Sequence, residues 1–217
     1  MREHHPDLNQ GRAIPSISTG EMLRGEIAAG SELGRNVQAV MAAGGLVSDD
    51  MINAALAARI EKPDCATGFM LDGYPRTVEQ ASFLDGLLRL RGFDDPVVIH
   101  LDVPADVLVG RIISRRQCSK CGRMFNVLTD RPKIDGACDD DGAPLVTRKD
   151  DREDVIRERL RTYNEMTRPV LAHYPSDRYY QIQGDRSQGY IFEEITGILE
   201  TILDERTGRR SVVRVEK

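Results

Sequence analysis

The chain has 217 residues, 40% of them hydrophobic and 30% charged, enough for one sizeable buried core with small insertions. A net charge of −5 argues against broad binding to nucleic acid or to an anionic membrane surface. No run approaches the roughly 18 apolar residues of a transmembrane helix, and the opening "MREHHPDLNQGR" lacks the apolar stretch of a signal peptide.

A cytoplasmic chain is therefore expected, with no nucleic-acid or membrane partner. Its four cysteines are then thiols or metal ligands in preference to disulfides. After the polar start, "SISTGEMLR" reads as a strand end, a turn at Gly20 and a helix opening near Glu21, capped by Ser18 or Thr19. "LGRNVQAVMAAGG" is a short helix closed by Gly44 and Gly45. "SDDMINAALAARIEK" follows with Ser48 as N-cap and an apolar face through Ile52, Leu56 and Ile60. "GFMLDGY" is a compact apolar run suited to a buried parallel strand, and Thr77 caps the next helix, which Gly92 closes. "PVVIHLDV" is another buried strand and "ADVLVGRIISRR" another helix. A cysteine-bearing segment rich in turn formers comes next. From Arg152 a long amphipathic helix runs to Pro169, where it kinks or stops. "RYYQIQG" is expected as the last strand and "GYIFEEITGILETILDE" as the last helix, with a basic tail, "RTGRRSVVRVEK", that frays. Strands alternating with helices predict an α/β fold with a parallel sheet covered on both faces.

The cysteine segment carries a metal pattern. Cys118-x-x-Cys121 and Cys138 supply three ligands, with 16 residues between Cys121 and Cys138. "CSKCG" and "CDDDG" superpose, each pair being followed by glycine (Gly122 and Gly142), which makes Asp141 the fourth ligand. Asp139 and Asp140 would shorten the second loop, and the bland alternative is three reduced cysteines without metal. Four protein ligands close a zinc site, so its role would be structural. A nucleic-acid-binding ribbon and a stapled flap on an enzyme both fit such a module; the acidic balance disfavours the first.

Arginines flank the module: Arg111, Arg115 and Arg116 before it, Arg148 after it, and Arg157 and Arg159 beyond, with Arg24 and Arg76 just past glycine-containing turns. Guanidinium groups converging from several elements suit bidentate phosphate binding. Surface ion pairs are the competing explanation, and for Arg157 and Arg161, near Asp154 and Glu158, they are the expected one.

These residues carry a family resemblance. "SISTGEMLR", "GFMLDGYPRTVEQA", "DVPADVLVGRI", the cysteine segment through "TRKDD", and "TYNEMTRPV" closely resemble adenylate kinase, in order, from about Ile14 to the final helix. The cysteine segment is similar to that family's lid in its zinc-bearing bacterial version. The resemblance implies a P-loop-kinase-like parallel sheet with core segments 1–17, 48–113 and 152–217. It further implies a helical nucleoside-monophosphate-binding insertion over 18–47 and a zinc-stapled lid over 114–151. It implies ATP, AMP and ADP as small-molecule partners, Mg²⁺ accompanying ATP, and a monomer. By the same resemblance, AMP is held by Thr19, Arg24, Gly45, Leu46, Val47, Gly73, Arg76, Gln80, Arg148 and Arg159. ATP is held by Arg111, Arg115, Met124, Phe125 and Arg186. Arg76, Arg115, Arg148, Arg159 and Asp72 are the catalytic set, with Asp72 placed to hold water on Mg²⁺. Physically, Arg24 and Arg76 could grip the AMP phosphate, the Gln80 amide could meet an adenine edge, and Phe125 and Arg111 offer flat faces for stacking.

The family also opens on a strand and a G-x-x-x-x-G-K loop that cradles ATP phosphates. The region "MREHHPDLNQGRAIPSISTG" has neither, so a fold lacking its first, central strand is expected, with neighbouring strand edges needing other partners. Three functions follow: a phosphotransferase converting ATP and AMP to two ADP, impaired in this chain; a catalytically inactive AMP- and zinc-binding relative; or a zinc-ribbon interaction module.

Overall fold

The computed structural model describes residues 15–43, 45–148, 150–205 and 211–216; the expectation made for Gly44 falls outside them. A five-stranded sheet forms the centre, in the order β1-β2-β8-β3-β7, and its pairings are parallel. Its strands are β1 (Ser16–Ser18), β2 (Gly68–Asp72), β3 (Val97–Asp102), β7 (Tyr179–Gln183) and β8 (Ser211–Glu216). The buried apolar runs predicted as strands hold these places: Phe69, Leu71, Val98 and Ile99 are fully buried, as a sheet covered on both faces requires.

The helices are α1 (Thr19–Ala29), α2 (Glu32–Ala42), α3 (Asp49–Ile60), α4 (Val78–Leu90), α5 (Ala105–Ile113), α6 (Glu153–Thr162) and α7 (Gln188–Glu205). α1 opens at Thr19, two residues before the predicted start, and Gly20 lies inside its first turn; Ser18 is the N-cap residue but makes no side-chain cap bond. Ser48 likewise makes none for α3, whereas the Thr77 hydroxyl accepts the Gln80 N–H at 3.1 Å and caps α4 as expected. The predicted helix from Arg152 to Pro169 continues past α6 as a π turn over Tyr163–Thr167, and a 3₁₀ segment, Arg168–His173, carries Pro169. The main core lies between the sheet and α1, α3 and α4, with Ile17, Leu56, Phe69, Tyr74, Leu84 and Val212 packed together.

Two expectations are corrected here. "RYYQIQG" is not the last strand, and the expected fraying does not hold for the described residues of the tail. Ser211–Glu216 forms β8 and fills the slot between β2 and β3, pairing Leu71 and Val98 with Arg214. β2 and β3 would otherwise face each other across two unpaired backbone edges, and a segment with three valines satisfies both ladders at once. The central position of the sheet is therefore occupied, by the C-terminal segment.

The cysteine segment forms a separate three-stranded antiparallel sheet in the order β5-β4-β6, from β4 (Arg115–Cys118), β5 (Met124–Asn126) and β6 (Leu145–Val146). Its interior is small: Cys118, Phe125 and Cys138, with Cys121, Ala143 and Leu145 around them.

Candidate functional site

Four ligand-type side chains meet at the centre of the module. One donor atom each from Cys118, Cys121, Cys138 and Asp141 lies within 4.8 Å of all the others. The Cys121 and Cys138 Sγ atoms are 3.6 Å apart, and Cys118 Sγ is 3.4 Å from Asp141 Oδ1. A tetrahedral ion with Zn–S near 2.3 Å and Zn–O near 2.1 Å sets edges of about 3.5–3.8 Å, so the donor set fits such an ion. Asp139 instead accepts the Lys133 N–H at 2.8 Å, and Asp140 pairs with Arg123, which leaves Asp141 as the carboxylate of the cluster. Gly122 and Gly142, at φ of +78° and +68°, turn the chain back at equivalent points of the two ligand loops. The Ala143 N–H, at 3.0 Å, holds the Asp141 carboxyl down to about 2, and the thiol contacts add to this; the side chain is a ready anion.

The second centre is a cleft at the C-terminal ends of β2 and β3, where ligands of open α/β sheets sit. It has two joined cavities, one of about 80 Å³ and one of about 540 Å³. Thr19, Arg24, Gly45, Leu46, Val47, Gly73, Arg76, Gln80 and Arg159 line the smaller one. Arg24, Arg76 and Arg159 also line the larger, together with Asp72, Arg115, Arg148 and Arg168. Gly73 adopts φ of +73°, and a Cβ there would stand 2.9 Å from the Arg76 guanidinium, so only glycine lets that side chain fold across it. Arg76 Nε donates to the Gly73 carbonyl at 2.9 Å, and the Thr19 hydroxyl donates to the same oxygen at 3.0 Å.

The electrostatics of the cleft are those of crowded cations. Burial pushes the Arg148 guanidinium down, and the charges of Arg24 and Arg115 push it further. Burial also depresses Arg159, with Arg76 as the next cause. Asp151 offsets part of this by a two-pronged bond to Arg115, through Nε at 2.9 Å and Nη2, and Asp150 lies 3.9 Å from Arg24.

The residues predicted for the ATP side, Arg115 apart, lie elsewhere. Arg111 donates to the carbonyls of Gly184 and Asp185, at 2.5 and 3.1 Å. Arg186 bonds Gln183 and lies over the Tyr190 ring at 5.4 Å. Phe125, expected to offer a stacking face, is 2% exposed and packs in the module interior under Arg123. Met124 accepts from Arg148 at 3.2 Å, beside the Arg148–Gln117 bond. The Gln80 amide, expected at an adenine edge, binds the Arg76 N–H through Oε1 at 2.7 Å and Asp49 through Nε2 at 2.6 Å. The predicted partners of Arg157 and Arg161 shift slightly: Arg157 pairs with Glu153, and Arg161 with Glu158 and Glu165. His100 and His173 are both bonded. His100 Nδ1 is 2.6 Å from the Tyr179 hydroxyl and Nε2 is 3.2 Å from the Tyr163 hydroxyl; His173 is 2.7 Å from Asp85. Sequence reasoning missed His100, Tyr163, Arg168 and Tyr179 as cleft walls, because they come from separate elements and match no short motif.

The family model for adenylate kinase matches residues 4–179. The chain is 43% identical over 194 residues to an adenylate kinase of Thermosipho melanesiensis, 89% of this chain and 91% of that one. It is 45% identical over 190 residues to an adenylate kinase of Kosmotoga olearia, covering 87% and 88%, and 45% over 180 residues to one of Anaeromyxobacter dehalogenans, covering 83% and 81%. The chain belongs to the adenylate kinase family. It is thus an enzyme of the nucleoside monophosphate kinase kind, a nucleotide-binding transferase, and the five-stranded parallel sheet with its flanking helices is that of a P-loop-kinase-like α/β fold. Among the described residues no helix is long and apolar enough to cross a membrane.

Proposed function

We propose that the chain is built to transfer a phosphoryl group between ATP and AMP, giving two ADP, in adenine nucleotide homeostasis in the cytoplasm, acting as a monomer. The observation that carries this is the cleft itself. Arginines from α1, the loop after β2, β4, the end of the module and α6 line one cleft, and two of them, Arg148 and Arg159, are depressed by burial and then by their arginine neighbours. Such a set is relieved by an anion carrying several charges, and phosphoryl transfer depends mainly on positioning and on neutralising charge on the transferred group. In this reading the smaller cavity takes AMP, with Arg24, Arg76 and Arg159 on its phosphate and Thr19, Gly45, Leu46, Val47 and Gly73 shaping its walls. Arg115 and Arg148 face the transferred phosphoryl group, and Arg111, Met124 and Arg186 belong to the ATP side. Mg²⁺ with ATP would neutralise phosphate charge; Asp72, at the C-terminal end of β2 on the cleft wall, is the residue to hold its waters. The module over 114–151 is read as a lid and the segment over 18–47 as the AMP-side insertion. Zinc held by Cys118, Cys121, Cys138 and Asp141 would staple a lid too small for a core of its own, with apparent binding energy on the order of 10 kcal/mol.

A finer reading concerns rate. No G-x-x-x-x-G-K run occurs in these 217 residues. That loop orients and neutralises the β- and γ-phosphates, so ADP formation by this chain is expected to be several orders of magnitude below the roughly 1–10³ s⁻¹ of typical enzymes. An assay of ADP formed from Mg-ATP and AMP tests both readings. A barely measurable rate that needs AMP and that rises when a family strand and G-x-x-x-x-G-K loop replace residues 1–12 and 211–217 supports them. Turnover at ordinary kinase rates by the unaltered chain contradicts the impairment. No gain in the grafted chain supports the inactive AMP- and zinc-binding alternative.

A further inference from the structure

The loop that carries Arg76 is held from an unexpected direction. Arg214 stands in the middle of β8, at the centre of the sheet, and is 0% exposed. Strands buried on both faces ordinarily carry apolar residues, and a buried guanidinium is costly unless it is well bonded. Arg214 Nη2 donates to the Pro75 carbonyl at 2.8 Å, and its guanidinium lies 5.4 Å from the centroid of the Tyr174 ring.

The Pro75 carbonyl and the Arg76 N–H are two ends of one peptide group. The N–H end donates to Gln80 Oε1 at 2.7 Å. On the following peptide group, the Arg76 carbonyl accepts from the Thr167 hydroxyl at 3.1 Å. Three side chains, from β8, α4 and the π turn after α6, thus clamp both peptide groups that flank Arg76. With the backbone fixed, the Arg76 side chain needs only its own bond to the Gly73 carbonyl to settle on the cleft wall. Holding a charged side chain ready before its ligand arrives is what makes a binding contact effective.

We infer that Arg214 is a positioning residue for Arg76, through which the C-terminal strand sets the phosphate-binding end of the AMP cavity. The inference rests on the proposed reading that Arg76 grips the AMP phosphate. A purely structural Arg214 would weaken every ligand of that cavity alike; a positioning Arg214 weakens the phosphate contact selectively. The experiment compares AMP with adenosine, which lacks the phosphate, by NMR titration of the 217-residue chain and of Arg214→Met and Arg214→Lys. Arg214→Met is expected to weaken AMP about tenfold, equal to about 1.4 kcal/mol, and to move adenosine less than about twofold. Arg214→Lys, which keeps the cation but loses the planar fork, falls between parent and Arg214→Met for AMP alone. Should Arg214→Met fail to fold by circular dichroism, the Lys variant decides by the same selectivity. Equal loss for AMP and adenosine, or no loss for AMP, overturns the inference and leaves the proposed function standing. An unaltered chain that binds no AMP overturns the proposed function, and this inference with it.

Discussion

The cysteine module and the centre of the sheet both bring together residues that are apart in sequence, over very different lengths of chain. In the module the outermost ligands, Cys118 and Asp141, are 23 positions apart, and the interior amounts to a few side chains around them. In the sheet, β8 enters between strands that precede it by more than a hundred residues; the Arg214–Pro75 bond spans 139 positions. In the proposed reading the module is ordered by coordination within one short segment, whereas the sheet rests on burial and backbone pairing that exist only once the whole chain is assembled. The two parts should therefore fail independently.

The largest effect is expected from Val213→Asp. Val213 is 5% exposed in a cluster with Met70, Ile99 and Ile182, and an unpaired carboxylate there should cost about 3–5 kcal/mol. Urea unfolding should show the loss, while zinc per chain, measured by atomic emission, stays at one; loss of zinc along with the core would break the proposed independence. Next comes Cys121→Ser, which should abolish zinc binding and leave the main unfolding transition of the core in place. Asp141→Ala should weaken zinc retention against a chelator without abolishing it, since three thiolates remain; full retention would point to Asp139, Asp140 or a water as fourth ligand. The smallest effect is expected from Asp151→Asn. Asp151 holds Arg115 by two bonds and its side chain is fully buried, so the substitution should cost about 1–3 kcal/mol by urea unfolding and loosen the joint between module and cleft.

What could be read from the sequence divides along the same line. Cys118, Cys121, Cys138 and Asp141 lie in short repeated loops with terminal glycines, so their meeting was legible from spacing alone. "GFMLD" and "VVIHLD" were legible as buried strands because both faces are apolar or nearly so. β8 was not. "SVVRVE" is short, carries an arginine at its middle and follows a basic stretch, and each of those marks reads locally as a solvated tail. Only the slot between β2 and β3, with the Pro75 carbonyl beneath it, makes a buried Arg214 tolerable. The partners of His100 and His173 escaped for the same reason, lying 79 and 88 positions away. Phe125 shows the opposite error: its aromatic ring suggested a nucleotide surface, while its position between ligand loops puts it inside the module. The bond from the Thr19 hydroxyl to the Gly73 carbonyl, between residues that follow the paired ends of β1 and β2, spans 54 positions and has no local signature either.

In the proposed function the arginine-lined cavity binds AMP through its phosphate. Thermal unfolding with and without AMP tests it most directly, because a ligand at about 100 times its dissociation constant stabilises the folded state by about 2.7 kcal/mol. For a chain of this size that is a rise in Tm of about 5–10 °C, and Arg76→Ala should erase it while leaving the Tm without AMP nearly unchanged. No rise in the unaltered chain, or an equal rise in Arg76→Ala, would contradict the claim.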